Sequence, residues 1–214
     1  YSGKYSITYR QHRTSMQARL PTEERQAEIV AAALLLARDN SPSLITTGDI
    51  AAAVGVTQGA LFKHFPTKDA IWLAAMGWVG EQLLRRLQDA AASSDSPLTA
   101  LEAMFKAHLG FVVSHPGVPR LVFHELQRAV DSPLKQEVRK LLAAYRKLLL
   151  NLLGAAIERG EVGADLDREA AATMFTGLIQ GLVMQSLLAG DVTRIRRDAP
   201  RVFDIYRRGI RSAA

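Results

Sequence analysis

Five histidines and no cysteine limit the chemistry open to this chain. Thiolate zinc sites, iron–sulfur clusters, disulfides and cysteine nucleophiles all need a residue the sequence lacks. His108, His115 and His124 lie seven and nine residues apart, a spacing that matches no metal-ligand pattern. His124-Glu125 is followed by Leu126, Gln127 and Arg128, so the second histidine of a zinc-protease helix is missing. There is no phosphate loop, nucleophile elbow or Gly-x-Gly-x-x-Gly. No catalytic residue, metal or cofactor is expected, and the chain is not read as an enzyme.

The residues that do carry a mechanism run from Thr46 to Asp69. Thr46, with Asp49 three residues on, has the form of a capping box opening a helix of about two turns, with Ile50 and Ala53 on its apolar face. Gly55 supplies a tight turn in which a left-handed backbone needs no side chain. Val56 plugs the turn from inside, and Thr57 is the natural N-cap of a second short helix whose Leu61 and Phe65 point into a core. Two short helices joined by a glycine turn make a helix-turn-helix. In that geometry the second helix lies in the major groove of DNA, with its N-terminal residues on base edges.

The rest of the chain must position this unit. Residues 1–20 read as a flexible basic arm, with Met16 a candidate native start and a minor groove a candidate partner. Glycine and proline cluster at a few points, and between them the pattern is helical. Helices are expected over about 22–38, 47–54, 58–64, 68–92, 97–114, 118–129, 133–159, 167–189 and 199–212, with no strand. Ser96-Pro97 and Ser132-Pro133 each pair a cap with proline in the first helical position. The expectation is an all-α protein: an N-terminal three-helix DNA-binding domain over 21–67, then a larger helical ligand-binding and dimerisation domain over 68–214. The helix at 68–92 joins the two as a lever.

Composition agrees with a folded chain. Of 214 residues, 48% are apolar and 22% charged, which excludes wholesale disorder. No run of apolar residues is long enough for a membrane span, no signal peptide is apparent, and a cytoplasmic setting is expected. The net charge of +6 is concentrated at the ends: residues 191–214 carry seven arginines against three aspartates. Basic ends and a neutral middle suit a polyanionic partner.

The 46–69 segment resembles the tetracycline-repressor (TetR) family of bacterial transcription regulators. It matches the family pattern at Thr46, Ile50, Ala51, Gly55, Val56, Gly59, Leu61, His64, Phe65, Lys68 and Asp69, and departs from it at Val54, Thr57, Phe62 and Ile71. Phe62 stands where the family carries a tyrosine whose hydroxyl meets a phosphate, so that hydrogen bond is lost here. The resemblance implies that Thr57, Gln58 and Ala60 open the recognition helix, with Gln58 pairing to adenine and the Ala60 methyl meeting thymine. It also implies that Thr47, Phe62, Lys63, His64 and Lys68 approach the DNA backbone.

In the larger half, Met104, Phe105, His108, Phe111, Phe123, His124, Tyr145, Met174, Phe175 and Gln180 supply the apolar walls and few polar groups of a small-molecule site. Gly177 and Gly181, four apart on one helix face, with Leu178, Leu182, Val202, Phe203 and Tyr206, look like a dimer interface. Family members pair their last two long helices as a four-helix bundle about a two-fold axis. The resemblance therefore implies a homodimeric repressor on a palindromic operator, released by a small, mainly hydrophobic effector. The alternative is a helical small-molecule-binding or adaptor protein whose DNA binding is vestigial.

Overall fold

The computed structural model describes residues 22–211, and these form nine helices and no strand. The arm at 1–20 and the extreme C-terminus lie outside the described residues. Helices α1 (Thr22–Leu36), α2 (Thr47–Ala53) and α3 (Gln58–Phe62) make the N-terminal unit. The regulatory helices are α4 (Lys68–Ala92), α5 (Pro97–Ser114), α6 (Gly117–Leu126), α7 (Pro133–Glu158), α8 (Arg168–Ala189) and α9 (Arg194–Ile210).

Side-chain caps set most of the starts. Thr46, Thr57, Thr67, Ser96, Ser132 and Asp167 each accept a hydrogen bond from a backbone N–H in the first turn of the following helix. Each bond satisfies a donor that the helix itself leaves unpaired. The α2–α3 turn closes as a Schellman motif: Val56 N–H donates to the Ala51 carbonyl at 3.0 Å and Gly55 N–H to that of Ala52 at 3.1 Å. Gly55 sits there at φ 69°, the left-handed region in which a Cβ is strained.

One apolar core runs through the chain. Ile29, Ile50 and Leu61 fill the N-terminal unit, and Ile71 and Trp72 of α4 continue that packing. Farther along α4, Val79, Leu83 and Leu87 belong to the same core as Leu101, Phe105 and Leu149. Helix α4 packs on α1 at one end and on α5 and α7 beyond it. Helix α4 thus runs unbroken from the N-terminal unit into the helices that follow it.

Two stretches differ from expectation. Helix α9 begins at Arg194 rather than 199, so Pro200 lies inside it instead of opening it. Asp191 takes the starting role by accepting from the Thr193 N–H at 2.9 Å. Pro200 is exposed, so water can serve the carbonyl that its missing N–H leaves free. Helix α6 runs from Gly117 and stops at Leu126 rather than 129. There the buried Glu125 carboxylate is tied to Arg128 and to the Ser132 hydroxyl, and the chain turns toward α7.

Candidate functional site

The face of the helix-turn-helix is built from caps outward. Thr46 and Asp49 form a reciprocal capping box, with Thr46 N–H donating to Asp49 Oδ2 at 2.8 Å and Asp49 N–H to Thr46 Oγ1 at 3.1 Å. The Thr46 N–H, and the Thr46 hydroxyl donating to Asp49 Oδ2 at 2.7 Å, hold the Asp49 carboxyl below its ordinary value. Thr57 accepts from the Ala60 N–H at 3.2 Å, which fixes the first turn of α3. The Gln58 amide donates to Thr47 Oγ1 at 2.6 Å, joining the two helices across their outer surface. A Cβ on Gly59 would meet nothing within 4 Å, so this part of α3 stands clear of the other described residues.

Around that face, Phe62 is 43% exposed and Ala60 half-buried. Lys63 is exposed, with no ion pair or hydrogen bond among the described residues. His64 is half-buried, and its Nδ1 is enclosed without a hydrogen-bond partner. The Gln26 side chain holds the His64 carbonyl at 3.2 Å, a contact across 38 residues that no local spacing reveals.

Lys68 departs from its expected role. Its ammonium donates to the carbonyls of Pro42, Ser43 and Ile45 at 3.4, 3.1 and 2.9 Å. An ammonium has three donors, and all three are engaged within the chain. In this structure Lys68 ties the start of α4 to the α1–α2 loop and has no donor left for a phosphate.

In the regulatory half the candidate ligand residues separate into groups. Phe105, Tyr145 and Phe175 are buried together, with Phe105 and Phe175 edge to face at 5.5 Å between centroids and Tyr145 and Phe175 at 6.3 Å. Met104 is also buried. His108 joins the group through Nδ1, 3.2 Å from the Tyr145 hydroxyl. Burial pushes the His108 imidazole down to about 4 and the Tyr145 phenol up, so both are neutral near pH 7. Phe111 lies elsewhere, stacked on His115 at 4.4 Å beside Trp78. Phe123 and His124 are half-buried on α6.

Four assignments are corrected by the packing. Met174, 46% exposed, and Gln180 lie on the outside of α8, because Phe175, Ile179 and Val183 take its inner face. Conversely, Phe203 and Tyr206, expected at a dimer contact, are 3% and 0% exposed. The apolar face of α9 folds inward: Phe203 packs on Phe105 at 5.2 Å, and the Tyr206 hydroxyl donates to the Ala171 carbonyl at 3.2 Å. Gly177 and Gly181 are exposed, Leu178, Leu182 and Val202 half-buried. Met184 and Leu188 continue the outer stripe of α8 at 42% and 76% exposure.

Comparison with known proteins agrees with this arrangement. Residues 29–75 match the family described as "Bacterial regulatory proteins, tetR family", and residues 125–200 match "Tetracyclin repressor-like, C-terminal domain". Among curated relatives, the nucleoid occlusion factor SlmA of Shewanella halifaxensis is 23% identical over 165 residues, covering 77% of this chain and 84% of that protein. Among solved structures, the ketosteroid transcriptional regulator KstR2 of Mycobacterium tuberculosis superposes with a TM-score of 0.74 at 22% identity, over 88% of this chain and 96% of that one. The regulator FadR of Bacillus subtilis, in complex with stearoyl-CoA, gives a TM-score of 0.75 at 20% identity, over 86% and 98% of the two chains. With the helix-turn-helix matched at one end and the regulatory helices at the other, the chain belongs to the tetR family of DNA-binding bacterial transcription regulators.

Proposed function

We propose that the chain is a homodimeric repressor in the bacterial cytoplasm that reads an inverted-repeat operator with α3 of each copy and leaves it when a small, mainly hydrophobic effector binds. The observation that carries the reading is the outer face of α3. Gln58 is steadied by Thr47, Gly59 leaves open space beside it, and Lys63 at the far end is a cation with no partner among the described residues. A preorganised amide can pair with adenine in the major groove without first losing its own rotamer freedom. Thr47, Lys63 and His64 are assigned to the backbone, with Phe62 packing beside them.

The effector is assigned to the region of Phe105, Tyr145 and Phe175, where the neutral His108–Tyr145 pair is the polar handle. An apolar site with one uncharged polar pair selects a largely hydrophobic molecule. Dimerisation is assigned to the outer stripe of α8. From Ala170 to Ala189 this helix has no charged residue, yet only one side of it is buried among the described residues.

Selection of bound duplexes from a random DNA pool at near-physiological salt tests the reading. The expected product is an inverted repeat with half-sites about one helical turn or somewhat more apart. Gln58→Ala should then lose about 1–3 kcal/mol at one base position and relax specificity there. Enrichment of no sequence, with binding abolished by modest salt, would favour a ligand-binding protein that no longer reads DNA.

A further inference from the structure

The end of α1 meets the regulatory helices at a tight seam. A Cβ on Gly117, at the start of α6, would lie 2.0 Å from the Leu34 carbonyl oxygen. One turn on, Arg120 Nε donates to the Arg38 carbonyl at 2.9 Å, so α6 caps the last turn of α1. Beside this seam opens a crevice of about 470 Å3, to which α1, α5, α6 and α8 all contribute. Its walls include Leu35, Val112, Pro119, Val183, Leu187 and Val192. That volume falls within the usual range for small-molecule sites.

The polar groups of the crevice are few and mostly engaged. The Ser186 hydroxyl donates to the Val183 carbonyl at 2.7 Å and the Ser114 hydroxyl to that of Gly110 at 3.0 Å. Asp39 is the one carboxylate in the lining, 3.4 Å from Arg38 Nε. The terminal nitrogens of Arg38 and Arg120 have no partner among the described residues. What remains is an apolar slot with two guanidinium groups against one carboxylate. The complement of such a slot is an apolar chain ending in an anion, since guanidinium binds carboxylate and phosphate through paired N–H donors.

We propose that this crevice binds a small amphiphile with one anionic head group, its chain between α5 and α8 and its head on Arg120 and Arg38, and that occupancy weakens DNA binding. The inference rests on the reading of the chain as a ligand-responsive regulator, and the site is separate from the Phe105–Tyr145–Phe175 interior. A carboxylate held side-on takes the Arg120 Nε–H together with one terminal N–H. That Nε–H is the donor now given to the Arg38 carbonyl. Head-group binding and the bond that joins α6 to α1 therefore compete for one proton, which couples the crevice to the N-terminal unit.

Calorimetric titration of the full chain with dodecanoate, dodecyl phosphate and dodecanol, each below its micelle-forming concentration, tests the site. In parallel, release from the selected operator is followed by fluorescence anisotropy. Both anions are expected to bind once per chain and to release DNA, with dodecanol weaker by about tenfold. The relative strength of the two anions shows whether the head is a carboxylate or a phosphate. Arg120→Gln combined with Arg38→Gln should reduce anion binding by about tenfold and leave dodecanol unchanged. Val183→Trp, which fills the slot, should abolish all three, whereas His108→Phe should leave them intact. Equal binding of dodecanol and dodecanoate, or anion binding indifferent to the arginine changes, overturns the proposal. So does loss of binding in His108→Phe alone, which would place the amphiphile in the aromatic interior. If no form binds DNA while dodecanoate binding still depends on the two arginines, the site stands and the regulatory reading falls.

Discussion

Lys68 illustrates how one residue can satisfy a family pattern and yet do something other than its type suggests. Its three N–H donors hold three carbonyls of the α1–α2 loop, so it fastens that loop to α4. Lys68→Ala is accordingly expected to lower stability by about 1.5–3 kcal/mol, the range for hydrogen bonds to a charged group. Thermal unfolding followed by circular dichroism would detect this. The slope of log affinity for DNA against log salt should not change, and a slope shallower by about one at constant stability would return Lys68 to a phosphate. His108 carries a different consequence. Burial lowers its imidazole from 6.5 to about 4 in the folded chain. Well above pH 6.5 neither folded nor unfolded chain is protonated there, and stability does not depend on this group. Between 6.5 and 4 the unfolded chain takes the proton first, so stability falls as the pH falls. The slope approaches about 1.4 kcal/mol per pH unit at its steepest, less because His108 is only half-buried. His115, also lowered chiefly by burial, adds a loss of the same sign. Melting temperatures between pH 8 and 4.5 should therefore decline in the parent chain and decline less in His108→Phe.

Among the elements, α6 is the one whose position is most tightly specified by a neighbour. Gly117 abuts the backbone of α1, with a Cβ only 2.0 Å from the Leu34 oxygen and 3.0 Å from the Arg38 nitrogen, and backbone cannot swing aside as a side chain can. Gly117→Ala must push α6 off α1 and should destabilise the chain by about 1–3 kcal/mol, as overpacking does. Operator affinity should change with it while the oligomeric state does not. An unchanged melting temperature would mean that α6 stands away from α1 in solution. This seam was invisible in the sequence, because it joins residues some eighty positions apart and depends on the absence of a side chain. The helix starts were legible for the opposite reason: Thr46, Thr57, Thr67, Ser96 and Ser132 act within their own first turns, so type and spacing suffice. The sequence pattern places the start of α9 about five residues late, and the packing of Ile195 and Ala199 onto the core carries the helix back to Arg194. The inward turn of Phe203 and Tyr206 follows from that same packing. The helical face of α9 alone does not say whether its apolar side meets its own chain or another.

At the scale of the whole molecule, α8 has two apolar faces where the chain supplies a neighbour for one. Phe175, Ile179 and Val183 are buried inside, while Met174, Gly177, Gly181, Met184 and Leu188 lie outside. By length and composition alone α8 is apolar enough to cross a membrane, contrary to the expectation from the sequence, and a third of its apolar window is buried against the chain. A Cβ at Gly177 or Gly181 would meet nothing within 4 Å, so no contact among the described residues requires glycine at either position. Glycine inside a helix is less favourable than alanine by about 0.5–1 kcal/mol, and close approach of a second helix is a physical reason to retain it. The double change Gly177→Leu, Gly181→Leu should therefore leave the chain folded and helical by circular dichroism while weakening its dimer in sedimentation velocity. Operator affinity should fall by about a hundredfold or more, because two half-sites bound through one dimer gain that much over separate binding. Gly110→Leu is the control, since that exposed glycine of α5 also has open space around it but lies off the stripe. A double variant that remains dimeric at the concentrations where the parent does would move the interface to the arginine-rich outer face of α9. There, like charges would face each other across the two-fold axis unless an anion or an acidic residue came between them, so the same measurement repeated at rising salt would distinguish that arrangement from an apolar α8 contact.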